Sequence, residues 1–327
     1  MHKYIFKRVL MMIPVLLGVS LIIFTLLYIT PGDPARQILG PDASPEAVEA
    51  LREELGLNDS FGVRYANFVI GALHGDLGIS YTTRLPVATE IFSRFPTTFV
   101  YALLCTIVSM IIGIPLGIIS ATKQYSIFDN AATTFALLGV SMPTFWLGLM
   151  LILLFSVRLD WLPASGFYGP QYWILPAMTI GMNSSAYIMR MTRSSMLEVI
   201  RQDYIRTARA KGQTEYKIVV KHALKNALIP IITVVGINFG RSLGGAIVTE
   251  QIFAIPGLGK MMVEAISARN YPVVQGGVLF IAVATSVVNL LVDILYAYID
   301  PRLSSQYQSG KKKKALQASE VTGGTAK

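Results

Sequence analysis

The sequence predicts an all-α integral membrane protein with six transmembrane helices, on three observations. Only 14% of its 327 residues are charged, against about 25% in an average soluble domain. Hydrophobic residues make up 53%. They are gathered into runs at 9–30, 95–122, 130–157, 161–189 and 278–298, interrupted only by Asp293. Each run is long enough to cross a hydrocarbon layer of ~30 Å at ~1.5 Å per residue.

The first run follows Lys3, Lys7 and Arg8, is 22 residues long and has no small-x-small cleavage site behind it, so it reads as a retained helix. Pro115 in the second run, between Gly113 and Gly117, and Pro143 in the third mark kinks. A sixth span at 228–248 contains one charge, Arg241. The expected division is an inner end and first helix at 1–30, an outer segment at 31–96, a five-helix core at 97–300 and a basic, disordered tail at 301–327.

Lys and Arg set the orientation. Of 28, the four segments that are inner when both termini lie inside hold 19, nine of them in 190–225. Six spans put both termini on one side, and the charge bias puts that side in the cytoplasm. This distribution explains the net charge of +9 without nucleic acid, since no aromatic platform accompanies the bases. The lone Cys105 reads as a small apolar core residue.

The outer segment at 31–96 has nine acids and five Arg. Ser44-Pro45-Glu46 starts a helix that Gly56 closes, and Gly75-Asp76-Leu77-Gly78 is a turn. The segment is either a platform for an external partner or a cap on the bundle.

The inner loop at 190–225 has nine bases against Glu198, Asp203 and Glu215. Residues 195–211 read as one helix ended by Gly212, after which Thr214 caps a second helix running through His222 into the next span. Ala208 and Ala210 keep this elbow slim, while Arg206, Arg209 and Lys211 supply charge. Two readings remain: a basic loop lying on anionic lipid, or a plug for a protein socket.

Gly236, Gly240 and Gly244 at intervals of four form a helix-packing face. Arg241 lies about 10 Å from the outer end of its span. It either lines a pathway or snorkels, with Glu250 or an acid on another chain as partner. Asn183, Ser184, Ser185 and Asn238 read as interhelical hydrogen-bonding groups before substrate ligands.

Catalytic chemistry is missing from the pattern. Gly257-Leu258-Gly259-Lys260 resembles the end of a phosphate loop, but Ala254 and Met261 stand where that motif needs its first glycine and its magnesium-binding hydroxyl. His2, His74 and His222 are scattered, and neither HExxH nor GxSxG occurs. A membrane bundle with an inner elbow and no energy site of its own points to a non-catalytic transport subunit driven by another chain.

The stretch Asp203-Tyr204-Ile205-Arg206-Thr207-Ala208-Arg209-Ala210-Lys211-Gly212, followed by His222-Ala223-Leu224-Lys225-Asn226-Ala227-Leu228-Ile229-Pro230, resembles the coupling segment of ABC importer permeases of the dipeptide, oligopeptide and nickel group. The resemblance extends to Thr30-Pro31-Gly32-Asp33-Pro34, Ser141-Met142-Pro143-Thr144-Phe145-Trp146 and the stretch from Thr249 to Gly259, and covers residues 1–303. Arg206-Thr207-Ala208 replaces the general Glu-Ala-Ala, as in the peptide group.

The resemblance implies a type I importer fold in a bacterial inner membrane and a first permease subunit paired with a second. It also implies two ATPase subunits carrying ATP and magnesium, an external solute-binding protein and a peptide cargo, with no cofactor on this chain. Asp203 to Gly212 would dock in an ATPase groove. Nickel-chelate or glutathione is the alternative cargo, and an ATPase-independent channel or secondary transporter the alternative class.

Overall fold

A computed structural model describes residues 2–299; the expected basic tail at 301–327 lies outside them. Among the described residues the regular secondary structure is helical, apart from an isolated bridge between Ile79 and Pro86. The helices are α1 (His2–Ile29), α2 (Pro34–Leu39), α3 (Pro45–Glu54), α4 (Phe61–Leu73), α5 (Val87–Thr122), α6 (Ile127–Ser141) and α7 (Thr144–Leu151). They continue as α8 (Pro170–Ile200), α9 (Asp203–Ala210), α10 (Glu215–Lys217), α11 (Lys225–Gly245), α12 (Ile247–Ile252), α13 (Leu258–Ser267) and α14 (Tyr271–Ile299). Two π-helical stretches, Ile152–Arg158 and Ile218–Leu224, extend α7 and join α10 to α11.

Four helical units are singly long and apolar enough to span a bilayer: α1, α5, α14 and the unit leading through α11. A fifth is a bent pair, α6 and α7, meeting at 104°. Pro143 lies at that break, whereas Pro115 lies inside the uninterrupted α5. The expected six is reached only when α8 is added. At 31 residues α8 is long enough, yet less apolar than the others. It packs against α5, α6 and α11, so much of its surface meets protein and needs less apolar character.

The α5–α8 contact is a seam of small residues. A Cβ on Gly113 would lie 2.7 Å from the Ser185 carbonyl oxygen, one on Gly117 2.5 Å from Thr192 Cβ, and one on Gly181 2.6 Å from Val108 Cγ1. With little hydrophobic gain on offer between helices in lipid, such close approach supplies the dispersion contacts that hold them together.

The glycine face of α11 meets α14. Gly236 faces Val292, Gly240 faces Asn289, Thr285 and Val288, and Gly244 faces Ile281. A Cβ on Gly236 would fall 2.1 Å from Val292 Cγ2, so Gly236→Val is expected to cost about 3 kcal/mol by overpacking. Thermal unfolding of the purified protein checks this, and an unchanged midpoint contradicts it. Asp293, the one charge in its apolar run, pairs with Arg8 of α1 at 2.8 Å.

The outer segment folds locally as expected. Ser44 Oγ accepts from the Ala47 amide, Pro45 opens α3, and Gly56 follows its end at φ +64°. Asp76 Oδ1 accepts from the Gly78 amide in the expected turn. Asn270, nearly fully buried, donates to Ser80 Oγ and Thr82 Oγ1 and accepts from the Tyr81 amide, tying this segment to the start of α14.

Candidate functional site

The elbow between α8 and α11 is built differently from the expected single helix over 195–211. α8 stops at Ile200, and Gln202 is extended at ψ 149° before α9 begins. The break lets α9 turn its apolar side back onto the bundle. Ile205 and Ala208 are buried in a cluster with Met196, Ile218, Ala223 and Ala227. Ala208 therefore faces the bundle and is not available to slim the elbow for a partner; Ala210 is exposed.

The outward side of α9 carries Asp203, Arg206, Thr207 and Arg209, and Lys211 follows its end. Arg206 lies 3.7 Å from Asp203, and Thr207 Oγ1 donates to the Asp203 carbonyl. Gly212 takes φ +73°, its amide donating to the Arg209 carbonyl while the Gln213 amide donates to that of Ala208. Space around Gly212 is open, so the backbone angle is what calls for glycine there.

Three side-chain ties close the elbow on itself. Arg209 grips Glu215 with two bonds, of 2.8 and 3.2 Å. His222 Nε2 and Gln213 Oε1 are 2.7 Å apart, and Asn226 Nδ2 donates to the Tyr204 hydroxyl at 2.9 Å. The Arg209 guanidinium holds the Glu215 carboxyl below its ordinary range, so this tie is complete at neutral pH and opens only as pH falls through that lowered value. Thr214 stands at the N-cap of α10 in extended conformation, without a side-chain cap bond.

Asn183, Ser185 and Glu250, grouped by sequence as pathway or packing, have separate hydrogen-bond partners. Asn183 donates to the Gly139 carbonyl, bridging α8 to α6, with Ser184 half-buried beside it; Ser185 bonds to Met182 within its own helix. Asn238 is buried, and its Nδ2 has no partner among the described residues.

Arg241 does not pair with Glu250. α11 ends at Gly245, four residues or about 6 Å beyond Arg241, whose side chain is exposed. Glu250 is instead fully buried, accepting from Thr98 Oγ1 at 2.6 Å and from the Lys260 amide at 3.1 Å. The stretch from Ile255 to Gly259 wraps this carboxylate at the N-terminus of α13. A Cβ on Gly257 would lie 2.3 Å from Glu250 Oε1, and one on Gly259 2.9 Å from Oε2. Thus Gly257 and Gly259 serve a carboxylate and not a phosphate.

Sequence reasoning missed a second polar node. Arg193 of α8 donates from Nε and Nη2 to both oxygens of Asp129, each at 2.9 Å, and from Nε to Ser120 Oγ. Ser120 also bonds to Asp129. One guanidinium thus joins α5, α6 and α8. The available signal was an acid at the very edge of an apolar run, just behind the Ser126 cap.

The family described as "Binding-protein-dependent transport system inner membrane component" matches residues 113–305, a span that contains both the elbow and the Arg193 node, and its N-terminal companion matches residues 1–102. The chain belongs to this family. It is 44% identical over 331 residues to the "Dipeptide transport system permease protein DppB" of Alkalihalophilus pseudofirmus, covering 93% of this chain and 99% of the relative. Identity is 42% to the protein of the same name in Escherichia coli K12 and 42% to the "Glutathione transport system permease protein GsiC" of Escherichia coli O6:H1, again over 93% of this chain and 99% of each relative.

A chain of the MetNI methionine ABC transporter, in an inward-facing conformation, shares the fold at TM-score 0.56 and 18% identity, over 64% of this chain and 96% of that one. The protein is a multi-pass, peptide-group ABC importer permease of the inner membrane.

Proposed function

We propose that this permease forms one half of the pathway of an ATP-driven importer of di- or oligopeptides, with both termini and the elbow in the cytoplasm. A second permease completes the pathway, two ATPase subunits carry ATP and magnesium, and an external solute-binding protein delivers cargo. The observation that carries the reading is the two-sided elbow. Ile205 and Ala208 fix α9 to the bundle while Arg206, Thr207, Ala210 and Lys211 stay exposed for a socket.

In this reading, closure of the ATPases pushes on α9. The push passes directly into α8 and α11, which flank the elbow, and through Arg193 into α6 and α5. The outer segment at 31–96 would receive the binding protein, and 1–30 and 97–300 would supply the six spans, with α8 as one of them. Hydrolysis chemistry belongs to the ATPases.

The test is a paired exchange on the exposed side, Arg206→Glu with Ala210→Trp. The ATPases are expected to be lost from the purified complex and uptake to fall at least tenfold, with the permease still in the membrane. Unchanged uptake refutes the coupling role. Glutathione is the second cargo reading, supported by the relative that bears that name at 42% identity. Uptake of labelled dipeptide against labelled glutathione decides between them.

A further inference from the structure

Between α6 and α8, beside the Arg193 node, an open groove of about 1010 Å³ is lined by Asn130, Thr133, Thr134, Met189, Arg190 and Arg201, among others. Its level relative to the bilayer can be read from the helices. α5 ends at Thr122, α6 begins at Ile127, and the turn between them carries Lys123. Arg193 grips Asp129 in the first turn of α6, so it stands at that boundary, and α8 continues past it to Ile200. Arg190 lies about one turn, roughly 4.5 Å, further into the bundle.

Along α6 the lining runs from charged Asp129 to the exposed hydroxyls of Thr133 and Thr134, and the helix continues one turn beyond the groove to Leu137 and Leu138, which are 56% and 51% exposed. That passage takes nine residues, roughly 13 Å. Phosphate, glycerol ester and acyl chain come one after another in the same order in a phospholipid. A protein segment would need to carry the same gradient from end to end, whereas a lipid has it in its covalent structure.

Charge selects the kind of lipid. Asp129 is fully engaged by Arg193. Arg190 and Arg201 form no ion pair with the described residues, and Glu198 is the only other acid lining the groove. The Arg190 guanidinium sits over the Tyr187 ring at 5.1 Å, a contact that leaves its N–H edge free to donate. The groove therefore carries surplus positive charge at the depth where phosphodiesters lie.

We propose that this groove seats an anionic phospholipid, its phosphodiester held by Arg190 at headgroup level with Arg201 at the cytoplasmic lip, and its acyl chains along Leu137 and Leu138 just beyond the groove. Basic pockets between membrane helices bind anionic headgroups through this combination of charge and depth. A lipid so placed would brace the α6–α8 pair just above the elbow, and the proposal does not depend on which cargo is carried.

The test uses the whole purified transporter, with retained lipid counted by native mass spectrometry after addition of phosphatidylglycerol or phosphatidylcholine. Phosphatidylglycerol is expected to be retained in preference. Arg190→Gln and Arg201→Gln should each weaken retention about fivefold. Arg190→Lys should keep most of it, and Arg84→Gln, in the outer segment, should change nothing. Equal retention of the two lipids, or unchanged retention in both glutamine variants, overturns the proposal. Displacement by equimolar inorganic phosphate would show a site for free anion and overturn it, as would crosslinks from Thr134→Cys to a partner chain filling the groove.

Discussion

Exchanging Asp129 for alanine is expected to lower the stability of the folded permease by about 3 kcal/mol. The carboxylate is nearly fully buried and accepts both bonds of the Arg193 fork, so its removal leaves a half-buried guanidinium without its counter-charge, keeping Ser120 Oγ as an acceptor, and leaves the Ser120 hydroxyl without its own acceptor. Breaking a buried pair costs about 3–5 kcal/mol, and the partial exposure of Arg193 places this one at the lower end. Asp129→Asn with Arg193→Gln together should recover at least half of the loss, because neither partner is then left as an uncompensated charge. Thermal unfolding of both variants beside the parent protein, in one detergent, measures it. A loss under about 1 kcal/mol for Asp129→Ala would assign the pair the weight of an exposed ion pair.

Glu250→Ala should cost a similar amount, about 3 kcal/mol, for another reason. The side chain fills the space inside the 255–259 turn and supplies the acceptor for Thr98 and for the Lys260 amide. Its loss leaves a cavity together with unpaired donors. Glu250→Gln retains one acceptor oxygen and should lose less than half as much. Gly259→Ala should be as damaging as Glu250→Ala, since its Cβ would lie 2.6 Å from Ile247 Cα, a backbone atom that cannot step aside. A tolerated alanine at 259 would show that the turn does not close on α12 as described.

Much of the local architecture was legible in the sequence because its causes are local. A hydroxyl before Pro45, a glycine after α9 and a proline at residue 143 act through backbone geometry within a few residues. The glycine face of α11 was legible from its period of four, although the period could not say that α14 is the neighbour.

Pairings across the chain were not legible. Asp129 meets Arg193 sixty-four residues on, and Glu250 meets Thr98 across 152. Nothing in either neighbourhood distinguishes these partners from other polar residues. The direction of Ala208 was misjudged because the stop at Ile200, which turns α9 over, comes from packing and has no glycine or proline to announce it. α8 was legible as a span because the run at 161–189 carries no charge, although the helix as a whole is less apolar than the other spans, as a helix screened by protein can be.

The π-helical stretch Ile218–Leu224 sets a phase relation between the two ends of the unit it joins. Within it, Ile218 and Ala223 are keyed to the elbow; above it, three glycines point at α14. A π segment differs from an α-helix by holding an extra residue in its turn, and each residue rotates the rest of the helix by about 100°. The elbow and the glycine face are thus two hands of one clock, and deleting Val220 alone should swing the glycines off α14 and cut the yield of folded protein severalfold. A deletion that left the yield intact would mean the two hands turn independently. In the proposed coupling, with the phase fixed, a push received at α9 would reach α14 as a rotation of α11.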